Sequence, residues 1–555
     1  MPTTASPVAR ILKLVKMERK EISAVYYYAI LNGLIQLSLP LGVQAIIGFV
    51  LGASMRASLV ILIVLVVLGV LAAGIMQVNQ MKIIEKIQQK LFVRYSFAFA
   101  EHIPKMDLKK TDTIYLPELV NRFFDIPVLQ KSLSKILLDI PTASIQILFG
   151  LILLSFYHPA FILFGLILII LLYLIIRYTG NHGLQTSLEE SSYKYKVAGW
   201  LEETARVIKS IKLTKSNDLH LQKTDEQVTG YLDARNKHFK ILLIQYHILV
   251  IFKTVITAAM LIVGTILLVN QQLNIGQFIA AEIIILLLLT SVEKLIMNLS
   301  SVYDTLTSVE KLSNLTDKPV EENGSIDLTD SGNGLKIEMQ NLSFSYNNEN
   351  NILQNISLVI NAGDKVCIQG NESSGKSTLL KVMAGAYPDF QGVFLLDGVP
   401  LGNYNLNSVR SQMGVLINQQ DIFNGTVMEN IVLGNKNITL ETVIDTAEKM
   451  GLNDFIASLK NGYDTILDPT GKRLPRNVVH KILLVRALVS KPRLLLLEEP
   501  LHNFENSQRN QIIRLLTEIK NTTLIVVSND DDFSKQCDKV ITIKEGNINI
   551  QANSK

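Results

Sequence analysis

Residues Gly370–Thr378 read GNESSGKST, and their types and spacing suit one chemistry, the grip of a chain of phosphates. Gly370 and Gly375 let backbone N–H groups curl round a phosphate, Lys376 reaches the terminal phosphates, and the Ser377 hydroxyl is placed to hold Mg²⁺. Asn371, Glu372, Ser373, Ser374 and Thr378 complete the loop. Its flanks agree: VCIQ (366–369) reads as a buried strand and STLLKVMAGA (377–386) as a helix. The helix N-terminus then faces the phosphates. A Gly/Ser-rich loop that matched by chance would not need this strand and helix in register. A nucleoside triphosphate is therefore the expected ligand, with ATP and Mg²⁺ as the cofactors.

Such a loop needs a sheet and helices to hold it. The runs LKIEMQNLSFSY (335–346) and NISLVINAGDKVCIQG (355–370) are strand-like, so residues 336–555 read as an α/β P-loop domain with antiparallel edge strands. Residues 316–335 are polar and rich in Gly, Asp and Asn, the composition of a linker. Residues 1–315 follow different rules. The chain of 555 residues is 48% hydrophobic, with mean hydropathy +0.29, which is too apolar for a wholly soluble protein. Six long apolar segments lie near 22–52, 57–79, 137–157, 159–178, 240–269 and 276–298. Each reaches the roughly 20 residues that cross a bilayer as a helix. The fold class expected is thus an α-helical six-span membrane domain plus the α/β domain.

The connections alternate. Those at 55–58, 157–160 and 270–274 are short, whereas 80–136 and 179–239 are long and rich in Lys and Arg. With Arg10, Lys13, Lys16, Arg19 and Lys20 they put positive charge on one side, which is the cytoplasmic one. The long connections have helical patterning and read as spans prolonged into the cytosol, with turns near 111–119 and 214–221. The first apolar segment is longer than a signal-peptide core, so no cleavable signal is expected. Net charge is only +4, with no basic tract interleaved with aromatics, so nucleic acid is not an expected partner. Cys367 and Cys537 read as small core residues of a reducing compartment.

Six spans with long cytoplasmic extensions, a linker and a P-loop domain resemble an ABC exporter half-transporter. The resemblance covers nearly the whole chain. Tyr346 stands where the family stacks a Tyr on adenine, and DIFNGTVMENI (421–431) is similar to the stretch after its Q-loop. KPRLLLLEEP (491–500) resembles the Walker B strand, and CDKVITIKEGNI (537–548) the final strands. The resemblance implies a dimer that sandwiches two ATP molecules, each between the P-loop of one domain and the signature helix of the other. It also implies Glu499 as the carboxylate that polarises water, and Glu498, with Ser377 and a Q-loop Gln, at the metal. The Q-loop position is read as Gln419, with Asn418 and Gln420 as its alternatives.

Several positions depart from the family pattern. Glu498 stands where Asp is usual. The signature, Leu-Ser-Gly-Gly-Gln in the family, reads Leu474, Pro475, Arg476, Asn477 and Val478. A phosphate-bonding Ser is thus replaced by Pro475, and both glycines are lost. Asn529 occupies the place of the switch His, and the D-loop reads HNFE (502–505). Glu282, about 10 Å in from the outer end of the sixth span, is a candidate for a transport cavity. Gln36, Gln44 and Lys253 are weaker candidates. With residues 1–21 before the first span, a leader-peptidase domain that processes its own substrate is not expected.

The reading is ATP-dependent export across the cytoplasmic (inner) membrane, as a homodimer or a heterodimer with a second half-transporter, with a periplasmic adaptor left open. The alternative is a subunit that binds ATP, barely hydrolyses it, and serves as gate or scaffold beside an active partner.

Overall fold

The protein is described by a computed structural model over residues 6–52, 56–214, 218–346, 351–418, 421–471, 473–502 and 504–552. It divides into two compact units, Met1–Lys105 with Ile114–Lys318, and Met106–Thr113 with Pro319–Lys555.

The first unit is helical, and among the described residues six helical segments are long and apolar enough to cross a membrane. Arg56–His102 and Ala160–Arg206 have 47 residues each, Leu219–Val269 has 51 and Ile275–Thr316 has 42. At 1.5 Å per residue a helix of this length runs about 70 Å, more than twice a bilayer's hydrocarbon core. These helices therefore continue well past the membrane, as the basic connections suggested. Val60, Ile61, Leu65 and Val67 point outward, whereas Leu154, Leu168, Leu249 and Leu288 are sealed inside. That inversion of an ordinary surface is what lipid as solvent requires.

The first span departs from the continuous segment expected at 22–52. It forms two helices, Arg19–Gln36 and Ser38–Leu51, which meet at Leu37. Pro40 has no N–H to return to the carbonyl of Gln36, so the ladder is interrupted there and restarts with Pro in the first turn.

Among the described residues the second unit has twelve strands: β1 (Ile337–Phe344), β2 (Leu353–Ile360), β3 (Lys365–Gly370), β4 (Gln391–Leu396), β5 (Val399–Pro400), β6 (Met413–Leu416), β7 (Gly425–Thr426), β8 (Ile466–Leu467), β9 (Leu494–Glu498), β10 (Thr523–Val527), β11 (Lys539–Lys544) and β12 (Asn547–Ala552). One sheet has the order β12-β11-β3-β10-β9-β6, and only β12 runs antiparallel to its neighbour. β9 and β10 are buried at every residue, which explains why LLLLE and TLIVV lack alternation. A second, antiparallel sheet has the order β2-β1-β4-β5. The segment that precedes β1 is fixed to this unit. Leu328 and Leu335 enter its core, and Arg410 holds Glu321 at 2.7 Å.

A short helix, Leu108–Thr111, folds with the second unit. Its Lys109 Nζ bonds the Asp389 carboxylate at 2.9 Å and lies 5.0 Å above the Phe344 ring.

Candidate functional site

β3 delivers the chain to Gly370, and the helix Lys376–Met383 leaves from Gly375. Both glycines are required here. Gly370 has φ 153° and a Cβ would come within 2.3 Å of the Ile543 carbonyl, while Gly375 has φ 103°, in the left-handed region. Ser373 is left-handed too, with φ 60°. Asn371, Glu372 and Ser373 are exposed, and Ser374 and Thr378 are buried. The Ser374 hydroxyl has no hydrogen-bond partner, which suits a phosphate oxygen as its acceptor. Lys376 Nζ folds over the loop and donates to the carbonyls of Gly370 (2.8 Å) and Asn371 (2.6 Å). The cradle thus offers backbone donors, a helix N-terminus, a free hydroxyl and an ammonium, a donor set that fits phosphate.

Glu498 ends β9 and is 4% exposed. One carboxylate oxygen accepts from Ser377 Oγ, and the other accepts from the Asn418 N–H at 2.7 Å. The longer side chain thus reaches the P-loop hydroxyl directly. Ser377 and Glu498 together supply hard oxygens of the kind Mg²⁺ takes alongside phosphate and water. Gln419 and Gln420 lie outside the described residues. Among the described residues no cluster of three or more His, Cys, Asp or Glu stands ready as an all-protein metal cage.

Glu499 follows with φ 45°, left-handed and strained for a residue with a Cβ. Its N–H bonds the Val527 carbonyl at 2.8 Å, so the chain turns off the end of the sheet at this residue. The carboxylate is half-buried and accepts from Ser528 Oγ at 3.4 Å. Burial pushes its pKa up; Ser528 and the charges of Lys376 and His502 oppose that, and Glu498 adds to it. A carboxylate raised in this way is a better general base than an exposed one.

Tyr346 packs edge-on against Phe344 and Tyr387, whose rings stack on each other with centroids 5.3 Å apart. Its hydroxyl lies 3.2 Å from Thr378 Oγ1, so the aromatic wall is tied to the P-loop helix. The flat face of a purine is the natural complement of such a wall.

Leu474–Val478 sits at the start of the helix Arg476–Leu488. Leu474 packs inward and Val478 is buried, while Pro475 and Arg476 are exposed. Pro475 is the cap and has no side-chain acceptor, and Asn477 Oδ1 is turned back to the Val478 N–H at 2.9 Å. Asn529 is brought to the P-loop, where its Oδ1 accepts from the Gly370 N–H at 3.2 Å. In the D-loop, His502 N–H bonds the Glu499 carbonyl, Phe504 packs edge-on to His480, and Asn503 lies outside the described residues. Burial lowers the His480 pKa, and its Nε2 meets the Pro500 carbonyl at 3.1 Å.

Sequence reasoning missed one junction. Asn430 is wholly buried and closes the turn at Phe423 by accepting its N–H and donating to its carbonyl, both at 3.0 Å. Arg486, on the signature helix, donates to the Asn430 carbonyl at 2.7 Å and the Asp421 carbonyl at 3.3 Å. This locks residues 421–431 to the helix that carries Leu474–Val478. The signal was an Asn between Glu429 and Ile431 in MENIV, too short a pattern to name its partner.

In the first unit Glu282 is half-buried on Ile275–Thr316. Gln44 contacts the Tyr157 hydroxyl and lines an outer groove of about 600 Å³ with Gly48, Asn274 and Gly276. Gln36 joins a buried string with Asn32 (3.0 Å) and Gln146, which accepts from Ser291 Oγ at 2.8 Å. Lys253 is paired with Glu293 at 2.5 Å, so it does more than reach for the membrane surface.

The comparisons agree with this architecture. Residues 24–292 match the ABC transporter transmembrane region and residues 353–502 match the ABC transporter domain. The alpha-hemolysin translocation ATP-binding protein HlyB of Escherichia coli O157:H7 is 30% identical over 355 residues, 63% of this chain and 50% of that protein. A probable ABC transporter ATP-binding/permease protein of Haemophilus influenzae is 33% identical over 302 residues, 53% of each chain. The ATP-dependent lipid A-core flippase of Legionella pneumophila is 28% identical over 50% of this chain and 47% of its own. The chain spans about half the length of the curated relatives it matches. In fold it is similar to a bacterial Atm1-family ABC exporter with ATP bound, with TM-score 0.84 and 17% identity over 97% of this chain and 95% of that one. With its membrane helices and its nucleotide-binding unit each matched, the chain belongs to the ABC transporters, with a multi-pass membrane unit and an ATP-binding domain.

Proposed function

We propose that the protein exports a substrate across the cytoplasmic membrane by ATP-driven rearrangement of a dimer, with its ATP-binding domain in the cytosol. The observation that carries this reading is the junction of six spans to a P-loop flanked by Glu498 and Glu499. The curated relatives are named for translocation of alpha-hemolysin and flipping of lipid A-core.

The chain's own residues divide the work. Tyr346 offers a face to the base. The P-loop N–H groups, Ser374 and Lys376 hold phosphate oxygens and oppose their charge. Ser377 and Glu498, with Gln419 as the expected third group, would hold Mg²⁺, which supplies charge neutralisation at the phosphates. Glu499 accepts a proton from the attacking water, and its turn off β9 aims it out of the sheet. Leu474–Val478 would face the partner's nucleotide, where Arg476 supplies a cation but no serine hydroxyl is present. Asn529 offers an amide in place of an imidazole.

Purified protein in lipid should release phosphate from ATP, and Glu499→Gln should abolish release while nucleotide still binds. Turnover that is indifferent to Glu499→Gln contradicts the assignment of the base. Binding without turnover in the unaltered homodimer favours a non-hydrolysing subunit beside an active partner.

A further inference from the structure

We infer that His480, on the helix that carries Leu474–Val478, is a positioning residue that aims the Glu499 carboxylate by holding the Pro500 carbonyl. The inference rests on the reading of Glu499 as the base. Glu499 leaves β9 with φ 45°, a conformation that a residue with a Cβ keeps only where its surroundings impose it. The backbone supplies two restraints. The Glu499 N–H bonds the Val527 carbonyl at 2.8 Å, and the His502 N–H bonds the Glu499 carbonyl at 3.1 Å. Pro500, the next residue, has no N–H, so its peptide group can be held only through the carbonyl. His480 Nε2 meets that carbonyl at 3.1 Å. Among the described residues it is the one side chain that bonds the backbone of residues 499–501. A carbonyl only accepts, so Nε2 carries the proton and donates. Burial lowers the His480 pKa, which favours the neutral ring with that proton on Nε2.

The same helix holds the chain again a few residues on. The His480 ring stands edge-on to Phe504 with centroids 5.6 Å apart, and Lys481 Nζ lies 5.8 Å from the centroid of the Phe504 ring. Lys481 is itself fixed, since its Nζ donates to the Gly451 carbonyl at 2.8 Å. Two consecutive residues thus grip the chain at Pro500 and at Phe504. The grip has a firm base, because Arg486 on the same helix donates to the Asn430 carbonyl at 2.7 Å. His480 stands in the first turns of the helix Arg476–Leu488, so the helix that presents Leu474–Val478 also sets the aim of Glu499. A reacting group displaced by about 1 Å can lose roughly a hundredfold in rate, so the hold on Pro500 bears on hydrolysis and not on nucleotide affinity.

Two measurements on the full chain in lipid test this. The first is steady-state kinetics. His480→Ala should lower kcat by about tenfold or more and leave the KM for ATP within about twofold. His480→Gln, whose amide N–H can donate to the same carbonyl, should recover most of the loss. The second needs no turnover: hydrogen exchange at the Glu499 and His502 amides of the nucleotide-free chain. His480→Ala should speed that exchange by about tenfold, as loss of one hydrogen bond would, and His480→Gln should restore it. Absence of turnover in the unaltered chain contradicts the export reading, and the exchange then decides the role of His480. Exchange that is unchanged in His480→Ala, or a measurable kcat that His480→Ala leaves as it was, overturns the inference.

Discussion

Two stretches of the second unit, about a hundred residues apart in sequence, have met opposite fates. At Gly370–Ser377 the loop gathers donors that suit phosphate, Gly370 and Gly375 supply left-handed turns without strain, and the strained backbone of Ser373 and Glu499 is tolerated beside them. At Leu474–Val478 nothing is aimed. Pro475 caps the helix without an acceptor, Asn477 spends its oxygen on the next residue's N–H, and Val478 is buried. Yet the helix behind the second stretch is held as firmly as any, with Arg486 clamped to Asn430. On the proposed reading, in which Leu474–Val478 faces the partner's nucleotide, the scaffold of both walls is present but phosphate-binding groups stand on one alone. A nucleotide site that needs both walls is then limited by the poorer of the two.

The largest break in this comparison comes from the good wall. Glu499→Gln should lower phosphate release by at least about 100-fold, the worth of a positioned base, with nucleotide affinity nearly unchanged. The same residue sets a pH signature. Burial raises its pKa above the usual carboxylate value, so activity should fall with decreasing pH earlier than an exposed glutamate would allow. The linkage has the matching sign. The folded state keeps this proton at pH values where the unfolded chain has lost it, so the group's contribution to stability declines as pH rises through that window. A pH–rate profile that is compared with the Glu499→Asp variant locates the limb.

The next effect sharpens the comparison from the poor wall. Pro475→Ser, Arg476→Gly and Asn477→Gly together should raise turnover of the homodimer about tenfold, since one hydrogen bond to a charged phosphate is worth that much. Smaller again, Tyr346→Ala should weaken nucleotide binding about five- to tenfold, in line with loss of one stacked base, as titration with a fluorescent ATP analogue would measure. Smallest in activity, Arg486→Ala should cost about 2 kcal/mol of stability by leaving the carbonyl of the buried Asn430 unpaired. A lower unfolding midpoint of the full chain with nearly normal nucleotide affinity would show it.

Much of this was legible in the residues. The P-loop announced itself because backbone approach to phosphate admits few residue types, and the spans because lipid demands long apolar runs. The inner geometry was not. The resemblance placed Glu498 beside Ser377, but that its second oxygen takes the Asn418 N–H depends on where β6 and β9 end, which no spacing rule encodes. The break at Leu37 was written in Pro40, yet hydropathy alone reads straight through it. Asn430 and Arg486 lie far apart in sequence, and only the packed helix joins them.

The most direct test of the central claim is steady-state phosphate release by the pure chain in lipid, before and after Pro475→Ser, Arg476→Gly and Asn477→Gly. If the signature wall limits the site, turnover rises about tenfold and remains dependent on Glu499. If turnover is unchanged while the restored protein binds ATP normally, the two walls are not what distinguishes this site, and the account fails.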